Sequence, residues 1–359
     1  MKNKLLLSSA LVSGLIVGSS VSAQTTVTGS LDLHYRSLSF SGTGPASRQG
    51  IGRETQVNIQ NKGKLNNGWD YAAGFSLEYD GNAARPAVGT SGIAAGTAES
   101  ASISNENVYV DFINGSTTLT VGVDHVQNST RHSAPMIRNV LDDAGSYGGL
   151  ATDQIGARTK ESMYFGIVQG IPGTGITVSA INAPQSGDLG ATDQAVTTSN
   201  ASNPSYEIGF VGVDTFGVKG LSTHAFTNKM KSESAATSGT TDLKGTTYGI
   251  GYNFGQFAAG VDVHKTNRTG GTRTTEVNMK NTLYGVTFAA TKELSLGLVY
   301  NKNAIDNQPE TEKIKTVQLG YNLGPVSIIG HYDMFDGVTG GAAASNEGKQ
   351  AGIRISTLF

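Results

Sequence analysis

Neighbouring carboxylates are the first feature of this sequence whose type and spacing point to chemistry. Asp142 and Asp143 are adjacent in a connection of roughly 35 residues between two patterned segments, and connections of that length are usually functional or disordered. The same stretch contains apolar residues at 136, 137, 140 and 141, which need a surface to pack on. We therefore expect the stretch to be ordered against the protein, with two carboxylates concentrating negative charge.

Aspartate and histidine also occur two residues apart at three places in predicted strands. Side chains two apart on a strand point to the same face, and a histidine beside a carboxylate suits a pH-sensitive lining or a cation site. We favour the simpler interpretation of solvated polar lining, because the strands concerned are expected to lie far apart. The pairs are Asp32 with His34, Asp262 with His264, and His331 with Asp333.

No metalloprotease, phosphate-loop or nucleophile-elbow motif is present in the sequence. Cysteine is absent, which excludes disulfides and thiolate metal sites. The formal net charge of −2 lacks the basic surplus of a nucleic-acid-binding protein. No metal, cofactor or covalent chemistry is therefore implied by the sequence.

The N-terminus has the pattern of an export signal. Lys2 and Lys4 precede the apolar run 5–17, and Val21, Ser22 and Ala23 fit a small-residue cleavage site. The alternative, a membrane-anchoring helix, needs a longer apolar run. The sequence therefore predicts a signal peptide over residues 1–23 and a mature chain over 24–359.

Apolar and polar residues alternate throughout the mature chain, which is typical of strands with two unlike faces. The third predicted strand shows this well, with Tyr71, Phe75 and Leu77 opposite Ser76 and Glu78. No segment after residue 23 is apolar for long enough to form a membrane helix. Repetition of the pattern predicts about sixteen strands, of which the sixth, eighth, ninth and twelfth are weakly patterned.

Short and long connections alternate along the predicted strands, as they do in membrane β-barrels with short periplasmic turns and longer external loops. The apolar face must then contact lipid, and the polar face must line a lumen. A secreted two-sheet sandwich is the alternative, but it does not require alternating connection lengths. The long loops are predicted near 40–52, 81–103, 124–160, 183–204, 228–244, 265–278, 301–313 and 336–349.

Several short segments carry a resemblance to one family across essentially the whole mature chain. They are 26–32, 63–68 with 75–78, 107–110, and the ending 352–359. In these segments the chain resembles the trimeric general porins of Gram-negative outer membranes. The resemblance implies an all-β, 16-stranded antiparallel transmembrane β-barrel, a homotrimer, and a third external loop, about 124–160, folded inward as a constriction. It also implies that Phe359 forms part of the signal read by the outer-membrane assembly machinery.

In such porins, acids on the constriction loop face basic residues on the barrel wall. The resemblance assigns the acidic side to Asp142 and Asp143, with Asp124 as a weaker candidate. Arg53 lies on the opposite strand face but near a rim, so it stays open as a basic candidate. The sequence lacks the dense arginine cluster of many relatives, which leaves the sign of ion selectivity open. The other basic candidates are Arg36, Arg158, Lys160 and Arg354.

The sequence thus predicts a non-enzymatic outer-membrane protein that lets small hydrophilic solutes and ions diffuse passively through a water-filled pore. Outer-membrane lipid surrounds it, and no cofactor is implied. One alternative is a substrate-specific channel on the same barrel. Another is a surface adhesin or structural protein whose loops bind a partner and which forms no pore. An outer-membrane enzyme is the least supported alternative.

Overall fold

The computed structural model describes residues 23–41, 48–81, 104–123, 163–184, 205–233, 240–270, 273–306, 311–339 and 345–359. Residues 1–22 and the interval 124–162 lie outside this description, so the predicted signal peptide and the inward-folded loop are untested. The strands are β1 (Gln24–Ser41), β2 (Arg48–Lys64), β3 (Asp70–Gly81), β4 (Ser104–Asn114), β5 (Thr117–Val123), β6 (Tyr164–Ile171), β7 (Ile176–Ala183), β8 (Ser205–Val213), β9 (Leu221–Glu233), β10 (Thr240–Phe254), β11 (Phe257–Gly270), β12 (Arg273–Ala289), β13 (Leu294–Ile305), β14 (Glu312–Asn322), β15 (Val326–Thr339) and β16 (Ser345–Leu358).

Each strand pairs with its neighbours in sequence, and the sheet closes into a barrel where β1 pairs with β16. The seam is antiparallel, and the backbone of Phe359 exchanges hydrogen bonds of 2.7 and 3.0 Å with Gly29. Closure leaves no strand edge unpaired, which a sheet in lipid requires. The predicted all-β, 16-stranded antiparallel barrel is confirmed.

The two faces of the barrel differ sharply in chemistry. On β14, Thr316 and Gln318 point inward and are buried, whereas Val317 and Leu319 point outward and are exposed. Exposed large apolar residues recur on the outer face of most strands, for example Leu298 at 59% exposure. This arrangement suits a barrel surrounded by lipid, and it confirms the predicted assignment of apolar side chains outside and polar side chains inside.

Aromatic rings on the outer face form two levels. Toward the short-turn end, Phe254 stacks on Phe257 at 5.8 Å between centroids, and Phe257 stacks on Phe288 at 4.7 Å. Nearer the other end, Tyr284 and Tyr300 stack at 6.2 Å. Two such levels are typical of the aromatic belts that mark the membrane–water boundaries. They therefore bracket an apolar band around this part of the wall.

Short turns and both described chain termini occupy one end of the barrel. Gly68, Gly255 and Gly324 adopt φ of 87°, 88° and 84° in these turns, a conformation that residues with a Cβ rarely adopt. The connection between β8 and β9 contains a 3-10 turn at Thr215–Gly217. By the general rule that periplasmic turns are short, this end faces the periplasm.

The strands of one half of the barrel are longer than predicted. The sequence placed loops at 228–244 and 265–278, but β9 and β10 remain paired up to Glu233 and Thr240, and β11 and β12 remain paired up to Gly270 and Arg273. Above the apolar band both strand faces are polar, so the period-two signal disappears although backbone hydrogen bonding continues. No helix within the described ranges is long and apolar enough to cross a membrane.

A charged lumen wall as the candidate functional site

Barrel closure makes β1 and β16 neighbours, so Arg36 and Arg354 lie on adjacent strands. Arg354 lies opposite His34 in the register, and Arg36 lies opposite Gly352, so the two arginines are diagonal neighbours on the lumen face. Arg36 lies in the half of β1 toward the long-loop end, and Arg354 lies in the half of β16 toward the short-turn end. We call Arg36, His34 and Arg354 the seam basic patch.

His331 and Asp333 of β15 lie beside this patch, one strand farther round. The Nδ1 atom of His331 is 2.9 Å from Oδ2 of Asp333, and Thr316 of β14 donates a 2.6 Å hydrogen bond to the other carboxylate oxygen. The amide of Gln350 on β16 also donates to Asp333, at 3.3 Å. The carboxylate is therefore held by partners on three strands and stays fixed next to the basic patch.

Asp32 stands on the other side of the seam basic patch, two residues before His34. It accepts a hydrogen bond from the hydroxyl of Ser356, its register partner on β16. Its register partner on β2 is Glu54, whose side chain is exposed. Positive charge at the seam is thus bordered by carboxylates, which creates a strong local field along the wall.

Two of the three aspartate–histidine pairs therefore share one region of the wall. The expectation that the pairs lie far apart is wrong for Asp32–His34 and His331–Asp333, because only β16 separates β1 from β15. Sequence separation concealed this proximity, since the two strands stand at opposite ends of the chain. The third pair, on β11, stands four strands from β15 around the barrel.

On β11 the pairing differs from the one that the spacing suggested. Asp262 lies 3.2 Å from Nε2 of His224 on β9, whereas His264 contacts the hydroxyl of Thr247 on β10 at 3.2 Å. The contact between His224 and Asp262 has an ion-pair distance without the alignment of a hydrogen bond. Sequence reasoning missed His224, because only the strand register brings it to Asp262.

Glycines accommodate these histidines on the neighbouring strands. The ring of His34 lies over Gly52, the ring of His331 lies over Gly352, and His224 and Asp262 both lie over Gly249. A Cβ atom at any of these glycines would collide with the side chain above it. The imidazoles thus occupy the space that a side chain at these glycines would fill.

Carboxylates exceed fixed positive charges among the described side chains that face the lumen. The guanidinium groups on this face are those of Arg36 and Arg354, and the lysines, Lys62 and Lys64, lie at the short-turn end, where Lys64 pairs with Asp70 at 2.8 Å. Some of the carboxylates are well held, such as Asp111, which accepts a 2.6 Å hydrogen bond from Thr120. The described lumen carboxylates are Asp32, Glu54, Asp70, Glu78, Asp111, Glu207, Asp262, Glu312 and Asp333.

The remaining predicted site residues divide into two groups. Arg53, left open as a basic candidate, points outward: its guanidinium lies 5.1 Å from the ring centre of Tyr79 and donates to the tyrosine hydroxyl at 2.9 Å. It therefore does not line the lumen. Outside the described residues lie Asp124, Asp142, Asp143, Arg158 and Lys160, so their predicted place at a constriction is untested.

Residues 8–340 match the family model of the Gram-negative porins, which is most of the chain. The chain belongs to this family. As a porin it is a β-barrel of the outer membrane and a passive diffusion channel, which agrees with its apolar exterior and polar lumen. No protein with a curated description matches this porin in sequence.

Solved structures share the fold of this porin at low sequence identity. An anion-selective porin from Comamonas acidovorans superposes with a TM-score of 0.66 at 15% identity, covering 94% of this chain and 100% of the other. The outer membrane channel DcaP of Acinetobacter baumannii gives 0.63 at 12% identity, covering 96% and 99%. OmpT of Vibrio cholerae, in its trimer form, gives 0.55 at 14% identity, covering 94% and 99%.

Proposed function

We propose that this porin conducts small hydrophilic solutes and ions without binding them tightly, and that it prefers cations. The excess of carboxylates over guanidinium groups on the described lumen wall carries this proposal. Rings of acidic side chains favour cations in a pore. The Comamonas relative is named as anion-selective, so the proposed preference is opposite to that of a protein with the same fold.

The seam basic patch and the loop acids supply a transverse field in this proposal. Arg36 and Arg354 stand on the lumen wall, and in this proposal Asp142 and Asp143 face them from the loop 124–160. A polar solute that passes between these charges can align its dipole with the field, which lowers its free energy. An apolar solute has no such interaction to offset the cost of displacing water from the charged groups. We assign no catalytic step and no cofactor to this arrangement.

Salt dependence follows from the same charges. Two unit charges 4 Å apart interact with about 1 kcal/mol in water, and the Debye length is about 10 Å at 0.1 M salt. A preference built from exposed lumen charges therefore falls as the salt concentration rises. A narrow binding site for one solute would instead keep its preference at high salt.

Single-channel recording in a planar bilayer under a potassium chloride gradient tests the proposal. A reversal potential with the sign of a potassium-selective pore, and a magnitude that falls between 0.1 and 3 M salt, supports a cation-preferring diffusion pore. A reversal potential with the sign of a chloride-selective pore contradicts the inference from the excess of lumen carboxylates. Absence of conductance from correctly folded protein would favour an adhesin, and a conductance that falls when one nutrient is added would favour a substrate-specific channel.

We further propose that the protein assembles as a homotrimer after export and removal of residues 1–23. OmpT of Vibrio cholerae is described in a trimer form, and it shares this fold. The described outer face of β1–β8 carries no lysine, which leaves a weakly charged surface for contact with another copy. Cross-linking of the protein in detergent should give a three-chain product, and conductance steps should come in threes. A purely monomeric, conducting protein would contradict this assembly.

A further inference from the structure

Lysines face each other in pairs on the outer surface of the barrel. Lys229 of β9 is the register partner of Lys244 on β10, and Lys265 of β11 is the partner of Lys280 on β12. Lys302 of β13 and Lys313 of β14 form a third pair. All six alternate with inward-facing residues, so their side chains project outward from the barrel wall. We call these six residues the lysine belt.

The lysine belt lies on the long-loop side of the apolar band. Lys302 stands two residues beyond Tyr300, which stacks on Tyr284 in the upper aromatic level. The ammonium of Lys265 lies 5.6 Å from the ring centre of Tyr248, a tyrosine of the same level. The belt therefore lies at the height of the lipid headgroups of the outer leaflet. The tyrosines below it mark the boundary between the headgroups and the apolar band.

Such an arrangement costs stability in the isolated barrel. Like charges directly opposite each other on neighbouring strands destabilise a sheet. One belt lysine has an acid beside it: the carboxylate of Asp336 on β15 lies 3.7 Å from the ammonium of Lys313. The side chains of Lys244, Lys265, Lys280 and Lys302 are exposed. The repulsion is relieved if an anion sits between the two lysines of a pair.

We propose that the lysine belt binds phosphate groups of phosphorylated lipids in the outer leaflet. A lipid phosphate fits because its acyl chains cover the apolar band below while its charge reaches the facing ammonium groups above. The belt spans β9–β14, and the described outer face of β1–β8 has no lysine at any height, so the lipid contact is one-sided. This inference concerns the outer surface and does not depend on the pore's ion preference.

Native mass spectrometry of the whole protein in neutral detergent tests the proposal, with phosphatidylglycerol and phosphatidylcholine as probes. The wild type should bind phosphatidylglycerol more tightly, and Lys265→Gln with Lys280→Gln should lower that preference about fivefold for each lysine removed. The matched control is Lys219→Gln with Lys292→Gln, two exposed lysines at the short-turn end. It should leave the preference unchanged.

Thermal unfolding separates lipid binding from a simple loss of stability. In neutral detergent without lipid, the Lys265→Gln, Lys280→Gln variant should unfold at the wild-type temperature or higher, because a repulsive pair has been removed. With phosphatidylglycerol it should gain less stability than the wild type. Lys265→Arg with Lys280→Arg should retain the wild-type gain, and inorganic phosphate should not reproduce it.

Three results would overturn the proposal. The first is an unchanged preference for phosphatidylglycerol in the glutamine variant. The second is an equal loss in the control variant, which would show an effect of net charge alone. The third is a stabilisation by inorganic phosphate as large as that by the lipid, which would assign the belt to a free anion.

Discussion

His224 and Asp262 meet over Gly249, a residue of the strand that separates them. The Nε2 and Oδ1 atoms are 3.2 Å apart, and both side chains are almost completely buried. A Cβ atom on Gly249 would collide with the carboxylate oxygen and with the imidazole. The contact between the two side chains therefore depends on a glycine of the intervening strand.

Gly249→Ala should destabilise the barrel by about 1–3 kcal/mol, the usual cost of forcing an extra carbon into a packed site. The measurement is the urea midpoint of unfolding in detergent micelles. Gly50→Ala is the control, because no atom lies within 4 Å of the position of its added Cβ. Equal midpoints for the two variants would show that the region around Gly249 adapts freely.

Removal of positive charge from the seam basic patch should increase cation preference. Arg36→Gln with Arg354→Gln should raise the potassium-to-chloride permeability ratio about twofold to fivefold, since a unit charge acts with about 1 kcal/mol at 4 Å in water. Reversal potentials at 0.1 M salt measure the ratio. Arg53→Gln removes one positive charge from the outer face and should leave the ratio unchanged. A shift in the control but not in the double variant would contradict the assignment of these faces.

Neutralising the loop acids should have the opposite effect. Asp142→Asn with Asp143→Asn should move the reversal potential toward anions if these residues border the constriction, because the lumen then loses two negative charges. Asp336→Asn serves as the control, since Asp336 is on the outer face beside Lys313. A reversal potential that stays at the wild-type value in the double variant would remove these acids from the constriction.

Loss of the terminal aromatic ring should impair assembly of the barrel. The ring of Phe359 lies over Gly29, and its backbone closes the seam between β1 and β16. Deletion of Phe359 should therefore lower the yield of folded protein in the outer membrane, which gel shifts between heated and unheated samples measure. Phe216→Ala, which removes a 73% exposed ring from a turn at the same end, should keep the wild-type yield. An equal yield for both variants would limit Phe359 to a local packing role.

The number of strands was predictable from the sequence, and so was whether a given side chain points to the lumen or to the lipid. A strand turns successive side chains to opposite faces, and lipid requires the apolar ones outside. The alternation of Thr316 and Gln318 with Val317 and Leu319 therefore determined which residues line the lumen. Loop ends were less predictable, since β9–β12 continue as paired polar strands beyond the apolar band, where alternation carries no signal.

Residue partnerships were decided only by the tertiary structure. A shift of register by two residues keeps every side chain on its own face, so the period-two pattern is the same before and after the shift. Register and closure together place His224 at Asp262, Lys265 opposite Lys280, and Arg36 diagonal to Arg354. The sequence by itself determined the chemistry of each face. Long-range hydrogen bonding between strands decided which charges became neighbours, because that bonding links residues far apart in the chain.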